Sequence, residues 1–147
     1  MKKRIKGSDG LTLIELLAVI VILGIIAAIA VPAIANIIEN SKIKVEKANA
    51  VSIIEAAELY FVDYEDPTGY IKSVSVPTLI AEGFLEDEGL GNNSLFVADS
   101  KPAWICGNAD AGKNKILFKK ATRKMIENSG KELVVGSTPC GHMEGAE

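Results

Sequence analysis

Residues 16–35 read LLAVIVILGIIAAIAVPAIA, a run of twenty residues without a charged side chain. At about 1.5 Å per residue, a helix of this length spans about 30 Å, the thickness of the hydrocarbon core of a bilayer. A small soluble domain has too little interior to surround such a run on all sides. The run therefore predicts one membrane-spanning helix, and the rest of the 147 residues suffices for one domain of ordinary size.

The ten residues that open the chain, MKKRIKGSDG, carry four basic side chains and one acidic side chain. Because basic residues collect on the cytoplasmic side of a membrane span, the N-terminus is predicted to be cytoplasmic and the C-terminal domain external. A secretory signal peptide fits less well, since its apolar region is usually only about 7–15 residues long. Without these ten residues the chain keeps 12 basic and 18 acidic side chains, and a net charge of this sign disfavours non-specific nucleic-acid binding.

Glu15 is a charged residue at the head of the apolar run. A carboxylate in lipid usually has a partner, but the nearest preceding cation, Lys6, lies nine residues earlier. If the chain were cut after Gly10, a new ammonium group would appear on Leu11, one helical turn from Glu15. The same ammonium on a neighbouring copy could also reach Glu15, and only at the correct axial height.

Residues 6–34 resemble the class III leader and N-terminal segment of type IV pilins and type II secretion pseudopilins. The leader ends at Gly10, and the mature segment begins at Leu11, where the family usually has Phe. The family pattern continues through the following residues: Thr12, Leu13, Ile14 and Glu15. Gly24 and Pro32 also fall where pilins commonly carry Gly and Pro.

The resemblance implies that a prepilin peptidase cuts between Gly10 and Leu11 and methylates the new amino group of Leu11. An ATPase-driven assembly platform in the inner membrane would then move the subunit into a helical filament of identical copies at the cell surface. Glu15 would neutralise the amino group of an adjacent subunit, and Thr12 belongs to the same assembly segment.

The helical pattern continues beyond the apolar run, because residues 36–64 contain neither Gly nor Pro. Apolar residues recur there at helical spacing: Ala50, Ile54, Ala57, Phe61 and Tyr64. One helix is therefore predicted from Leu11 to near Tyr64, with this stripe packed on the following domain. Pro32 removes a helical hydrogen bond and Gly24 adds backbone freedom, so we expect the helix to be weakest between them and to loosen during assembly.

The rest of the chain predicts a small antiparallel sheet and hence an α+β fold. The expected organisation is a leader at 1–10, a membrane and assembly helix at 11–35, an amphipathic half-helix at 36–64 and a β-rich domain at 65–147. Short elements are predicted as follows: an extended segment at 70–76, a helical turn at 77–83, and strands at 94–98, 103–106 and 132–135. Residues 116–128 fit either a strand or a helix. Residues 79–85 also resemble the loop that follows the long helix in many pilins.

The two cysteines, Cys106 and Cys140, are predicted to form a disulfide, as cysteines in an exported chain most often do. With one histidine, His142, they are too few ligands for a zinc site. The acidic cluster at 86–88 lacks the alternating spacing of a calcium loop and is interpreted as a solvated surface. No cofactor or metal is expected.

Catalytic motifs such as G-x-S-x-G, the P-loop and H-E-x-x-H do not occur in the chain, so a non-enzymatic subunit is expected. The size of the domain after Tyr64, together with Gly24 and Pro32, favours a type IV pilus subunit for adhesion, motility or colonisation. A competence pseudopilin, for which DNA would be a partner, and a type II secretion pseudopilin are the alternatives. A simple membrane-anchored receptor domain would leave Glu15 and the leader unexplained.

Overall fold

The computed structural model describes residues 9–64, 73–86 and 94–141, with side chains from Thr12 onward. The chain divides into two compact units, one up to Ile38 and one from Glu39, which are described separately. The elements in chain order are α1 (Asp9–Asp63), β1 (Ser73–Ser75), α2 (Val76–Ala81), β2 (Leu95–Ala98), β3 (Trp104–Ala111), β4 (Asn114–Thr122), α3 (Arg123–Asn128) and β5 (Val134–Val135). The predicted α+β class, with a long N-terminal helix, is confirmed.

Helix α1 continues without interruption for 55 residues and contains Pro32. In the first unit, its most apolar window has a mean hydropathy of 3.0 and buries none of its residues. An α-helix satisfies its backbone hydrogen bonds internally, so it is stable in lipid without neighbouring elements. By length and composition, α1 is the one helix of the described chain that could span a membrane.

The second half of α1 buries one face in the core of the second unit. Ala50, Ile54 and Ala57 are buried as predicted, and the buried face also includes Ile53 and Tyr60. Tyr64, predicted to end the stripe, is instead half exposed. The helix ends at Asp63, and the Tyr64 ring stacks on Tyr60 with the ring centroids 5.2 Å apart.

The five strands form one sheet in the order β1-β2-β3-β4-β5. The first three pairs are antiparallel, as predicted, but β5 lies parallel to β4, with Leu117 opposite Val134. A wholly antiparallel sheet was therefore a wrong prediction for the last pair. Parallel strands need a crossover of about a dozen residues, and residues 123–133, which include α3, provide it.

The ambiguous segment at 116–128 contains both of the predicted structures, since β4 ends at Thr122 and α3 begins at Arg123. In β4, Ile116 and Phe118 are fully buried, with a strand period of two. The strands predicted at 94–98 and 103–106 correspond to β2 and to the first part of a longer β3. The predicted helical turn is α2, which is capped by Ser75. Of the predicted extended segment, residues 70–72 lie outside the described residues.

A buried lysine connects α1 to the turn after α3. Lys47 is only 6% exposed, and its Nζ donates hydrogen bonds to the Ser129 hydroxyl at 2.7 Å and the Gly130 carbonyl at 3.1 Å. Ser129 in turn donates to the carbonyl oxygen of Ile126 at 2.6 Å. Burial lowers the pKa of Lys47 and the charge of Glu132 opposes that shift. The ammonium thus replaces the water that would otherwise solvate the end of α3.

Candidate assembly segment

Gly10 and Leu11 lie in the first turn of α1, where backbone N–H groups have no intrahelical acceptor. The side chain of Leu11 is outside the described residues. Glu15 lies one turn further along the helix, about 6 Å in axial rise from Leu11, and its side chain is exposed. The spacing that the predicted charge pairing requires is therefore present in a continuous helix.

The apolar side chains that follow Glu15 have little contact with the rest of their own unit. Leu17, Ile26 and Ile34, for example, are each more than half exposed. A soluble monomer rarely exposes a contiguous apolar patch of more than a few hundred Å². This segment is therefore suited to an apolar environment, which can be lipid or the helices of other copies.

Gly24 and Pro32 both lie inside the helix without breaking it. A Cβ atom added at Gly24 would meet no neighbouring atom within 4 Å, so the folded subunit itself does not require glycine there. Pro32 lacks the N–H that would donate to the carbonyl of Ala28. The helix backbone is therefore locally weak at both positions, and packing within the subunit does not explain why these two residues are present.

The second unit contains the predicted disulfide between Cys106 and Cys140, whose Cα atoms are 5.9 Å apart. Opposite Cys106, the register of β3 and β4 shifts, since Ile105 pairs with Ala121 but Gly107 pairs with Phe118. This β-bulge leaves two residues of β4, Lys119 and Lys120, opposite one residue of β3. The pair of cysteines in a chain expected to be exported predicted the bond, but nothing in the sequence indicated the bulge.

Lys120 occupies the left-handed region at φ 48°, and its backbone N–H donates to Cys106 Sγ at 3.1 Å. Its ammonium lies 5.1 Å from the centre of the Trp104 ring. Trp104 in turn meets Phe96 edge to face, with the centroids 6.5 Å apart. The disulfide attaches the C-terminal segment to β3 at the bulge, and the aromatic pair joins β3 to β2.

No group of three metal-binding side chains occurs among the residues that the structure describes. Glu86 is exposed, while its predicted cluster partners Asp87 and Glu88 and the histidine His142 lie outside the described ranges.

Comparison with known proteins agrees with this N-terminal geometry. Residues 5–31 match the prokaryotic N-terminal methylation motif. The chain is also 41% identical over 58 residues to the type II secretion system core protein G of Pseudomonas aeruginosa. That match covers 40% of this chain and only 41% of the relative. No solved structure matches the chain significantly.

The members of the two groups indicated by these matches, type IV pilins and secretion pseudopilins, are structural subunits and not enzymes. The apolar N-terminal helix fits the membrane-anchored precursor form of such a protein. This chain is therefore similar to the pilins and pseudopilins, both in its N-terminal methylation motif and in its long helix followed by a small sheet.

Proposed function

We propose that the chain is the structural subunit of a type IV pilus, cut after Gly10 and assembled into a surface filament through α1. The observation that carries this proposal is a single carboxylate, Glu15, placed one turn from Leu11 on an exposed apolar helix. A helix of this kind is insoluble in water by itself. Packing against identical helices buries it outside the membrane.

The charge of Glu15 then determines the axial position of each incoming copy. A charged residue at the centre of a membrane helix costs about 2.5–3.5 kcal/mol, and less near the end, where Glu15 lies. The amino group created at Leu11 neutralises that charge, either within the same chain or from a neighbouring copy. Only one axial offset brings the amine of one copy to the carboxylate of another, so pairing favours subunits in register.

Further elements of the proposal come from the similarity to pilins and pseudopilins. A prepilin peptidase would cut the chain and methylate Leu11, and Thr12 would follow the new terminus in the assembly segment. An assembly platform and its ATPase would extract the subunit from the membrane. Their action on this chain is tested by the mass of the mature N-terminus and by the dependence of fibres on each component.

The backbone between Gly24 and Pro32 is proposed to loosen when the subunit leaves lipid. Neighbouring copies would compress the helix there, where a hydrogen bond is already missing. A filament map with unbroken helix from Gly24 to Pro32 would contradict this part of the proposal.

A second candidate is a type II secretion pseudopilin, which would form a short fibre in the cell envelope. The specific observation in its favour is the 41% identity to core protein G. The two roles differ in where the fibre lies and in what is lost without it. Deletion of a pilus subunit removes fibres that can be sheared from the surface, whereas deletion of a secretion pseudopilin stops export of a protein.

The decisive experiment is replacement of Glu15 in the full chain, expressed with its assembly machinery. We expect Glu15→Ala to lower the yield of sheared fibres about tenfold or more, because the amine of Leu11 loses its partner in an apolar environment. Glu39→Gln is the matched control, since it removes a carboxylate of the same helix beyond the apolar run. Fibres of normal yield and order with Glu15→Ala, or fibres that retain residues 1–10, would refute the proposed function.

A further inference from the structure

The charges of the C-terminal domain are divided between two parts of the chain. Residues 63–88 carry seven acidic side chains and one basic side chain, whereas residues 113–131 carry seven basic side chains and one acidic side chain. The two segments therefore have net charges of −6 and +6. These opposite charges cancel in the sum over the whole chain, whose net charge is only −3.

The acidic segment lies at the end of α1 and around α2. Its described carboxylates Asp63, Glu82 and Glu86 are all exposed, and none forms a salt bridge among the described residues. Tyr60 of α1 meets Phe84 edge to face at 5.5 Å, which places the end of α1 beside the residues that follow α2. We call Asp63, Glu82 and Glu86 the acidic end.

The basic segment forms β4, α3 and the turn after α3. Three of its lysines, Lys119, Lys124 and Lys131, have no acidic partner within 4 Å in the described part of the chain. Arg123, by contrast, forms salt bridges with Glu55 at 2.7 Å and Glu58 at 3.5 Å, so its charge is paired within the subunit. We call Lys119, Lys124 and Lys131 the basic flank.

The strands that lead into the two surfaces lie at different positions in the sheet. β1, which leads directly into α2, is at one edge, and β4 is three strands away beside the opposite edge strand β5. With about 4.8 Å between neighbouring strands, β1 and β4 are about 14 Å apart. Among the described residues, no ion pair joins the acidic end to the basic flank within one subunit.

We propose that the acidic end of one subunit docks on the basic flank of the next copy, an inference that rests on the proposed filament function. A two-fold symmetric contact through either surface would bring like charges together. A contact between the two different surfaces is heterologous and, when it does not close into a ring, generates an open helical array. The second copy is favoured over a polyanion as the partner because each copy brings both charges in equal number, and because a mature chain of net charge −6 repels polyanions.

The test uses charge reversal in the full chain, expressed with its assembly machinery. One variant carries Glu82→Lys and Glu86→Lys, a second carries Lys119→Glu and Lys124→Glu, and a third combines all four changes. We expect each of the first two to lower fibre yield about tenfold, because like charges then meet at the contact. The combined variant restores yield to within about twofold of the unmodified chain, because opposite charges meet again.

Lys44→Glu is the single-reversal control, since Lys44 is exposed and is not one of the six residues that define the two surfaces. Formation of the Cys106–Cys140 bond in each variant separates a folding defect from a docking defect. Normal yield in the first two variants, or no recovery in the combined variant, overturns the docking inference. If Glu15→Ala still abolishes fibres in that case, the filament function stands and only the docking surfaces are wrong.

Discussion

Lys47 offers the sharpest test of how the C-terminal domain is held to α1. In Lys47→Ala, three buried methylene groups are lost, which costs about 2.4 kcal/mol at about 0.8 kcal/mol each. The Gly130 carbonyl also loses its donor, which adds about 1 kcal/mol. The variant is therefore expected to be about 3 kcal/mol less stable than the unmodified domain.

Lys47→Met separates the packing contribution from the charge contribution. Methionine keeps most of the buried stem, and like alanine it removes the ammonium together with the cost of keeping a charge out of water. It loses the bonds to Ser129 and Gly130, but Ser129 keeps its own bond to Ile126. We expect a loss of only about 1 kcal/mol, so that the two variants differ by about 2 kcal/mol.

The assay is urea unfolding of the full chain in detergent micelles, with the disulfide intact. Trp104 is the single tryptophan and lies in the sheet, so its fluorescence reports on the C-terminal domain. If methionine were as destabilising as alanine, the charge and its hydrogen bonds would dominate, and the calculation from buried methylenes would be wrong.

The pH dependence of the same measurement follows from the lowered pKa of Lys47. Between that lowered value and the ordinary value of 10.5, the unfolded chain binds more protons than the folded chain. The stability of the unmodified domain relative to Lys47→Met is therefore expected to rise as pH increases through this window. A relative stability that falls over the same range would contradict the assignment of burial as the main cause.

Two further predictions concern the same domain. Burial raises the pKa of Glu46, opposed by its hydrogen bond to Asn49 and reinforced by Asp110, and Glu46 Oε2 is buried without a partner in the described structure. Glu46→Gln is therefore expected to stabilise the domain at neutral pH by at most about 1 kcal/mol. This gain should vanish below pH 4.5, where the carboxyl group is protonated in both the folded and the unfolded state. A gain in stability that persists in acid would refute burial as its cause. The Cys106–Cys140 bond closes a sequence separation of 34 residues. The double variant Cys106→Ala with Cys140→Ala is therefore expected to lose about 3–4 kcal/mol of stability in urea unfolding. The control is the reduced unmodified protein, which lacks the bond but keeps the Cys106 sulfur as an acceptor for the Lys120 N–H.

The features that the sequence predicted are those that depend on local pattern. The apolar run and the absence of Gly and Pro from 36–64 fixed α1 to within a few residues of both ends. Ala50, Ile54 and Ala57 were identified as buried from their spacing alone. Each of these features depends on residues within a few helical turns of one another, so a single sequence contains the necessary information.

The features that were missed depend on contacts between distant parts of the chain. The parallel pairing of β5 is set by the length of the crossover through α3, and short strands do not reveal their partners. The bulge at Lys119 and Lys120 exists only relative to Cys106 on the neighbouring strand. Lys47 is one of three lysines in α1, and only the position of Ser129 makes it a buried donor.

Gly24 shows a third situation, in which neither the sequence pattern nor the folded subunit explains a residue. Within the helix a glycine costs about 1 kcal/mol relative to alanine, and an added methyl group would meet nothing in this chain. Gly24 thus lowers helix stability without a compensating contact inside the subunit. Its benefit must come from another source, either from backbone freedom or from close approach of a second helix. Glu15 fits the same reasoning, because its charge has a cost in lipid and a benefit only when an amine arrives. The filament proposal accounts for both residues, since it has the helix loosen at Gly24 and the carboxylate of Glu15 pair with the new amine of Leu11.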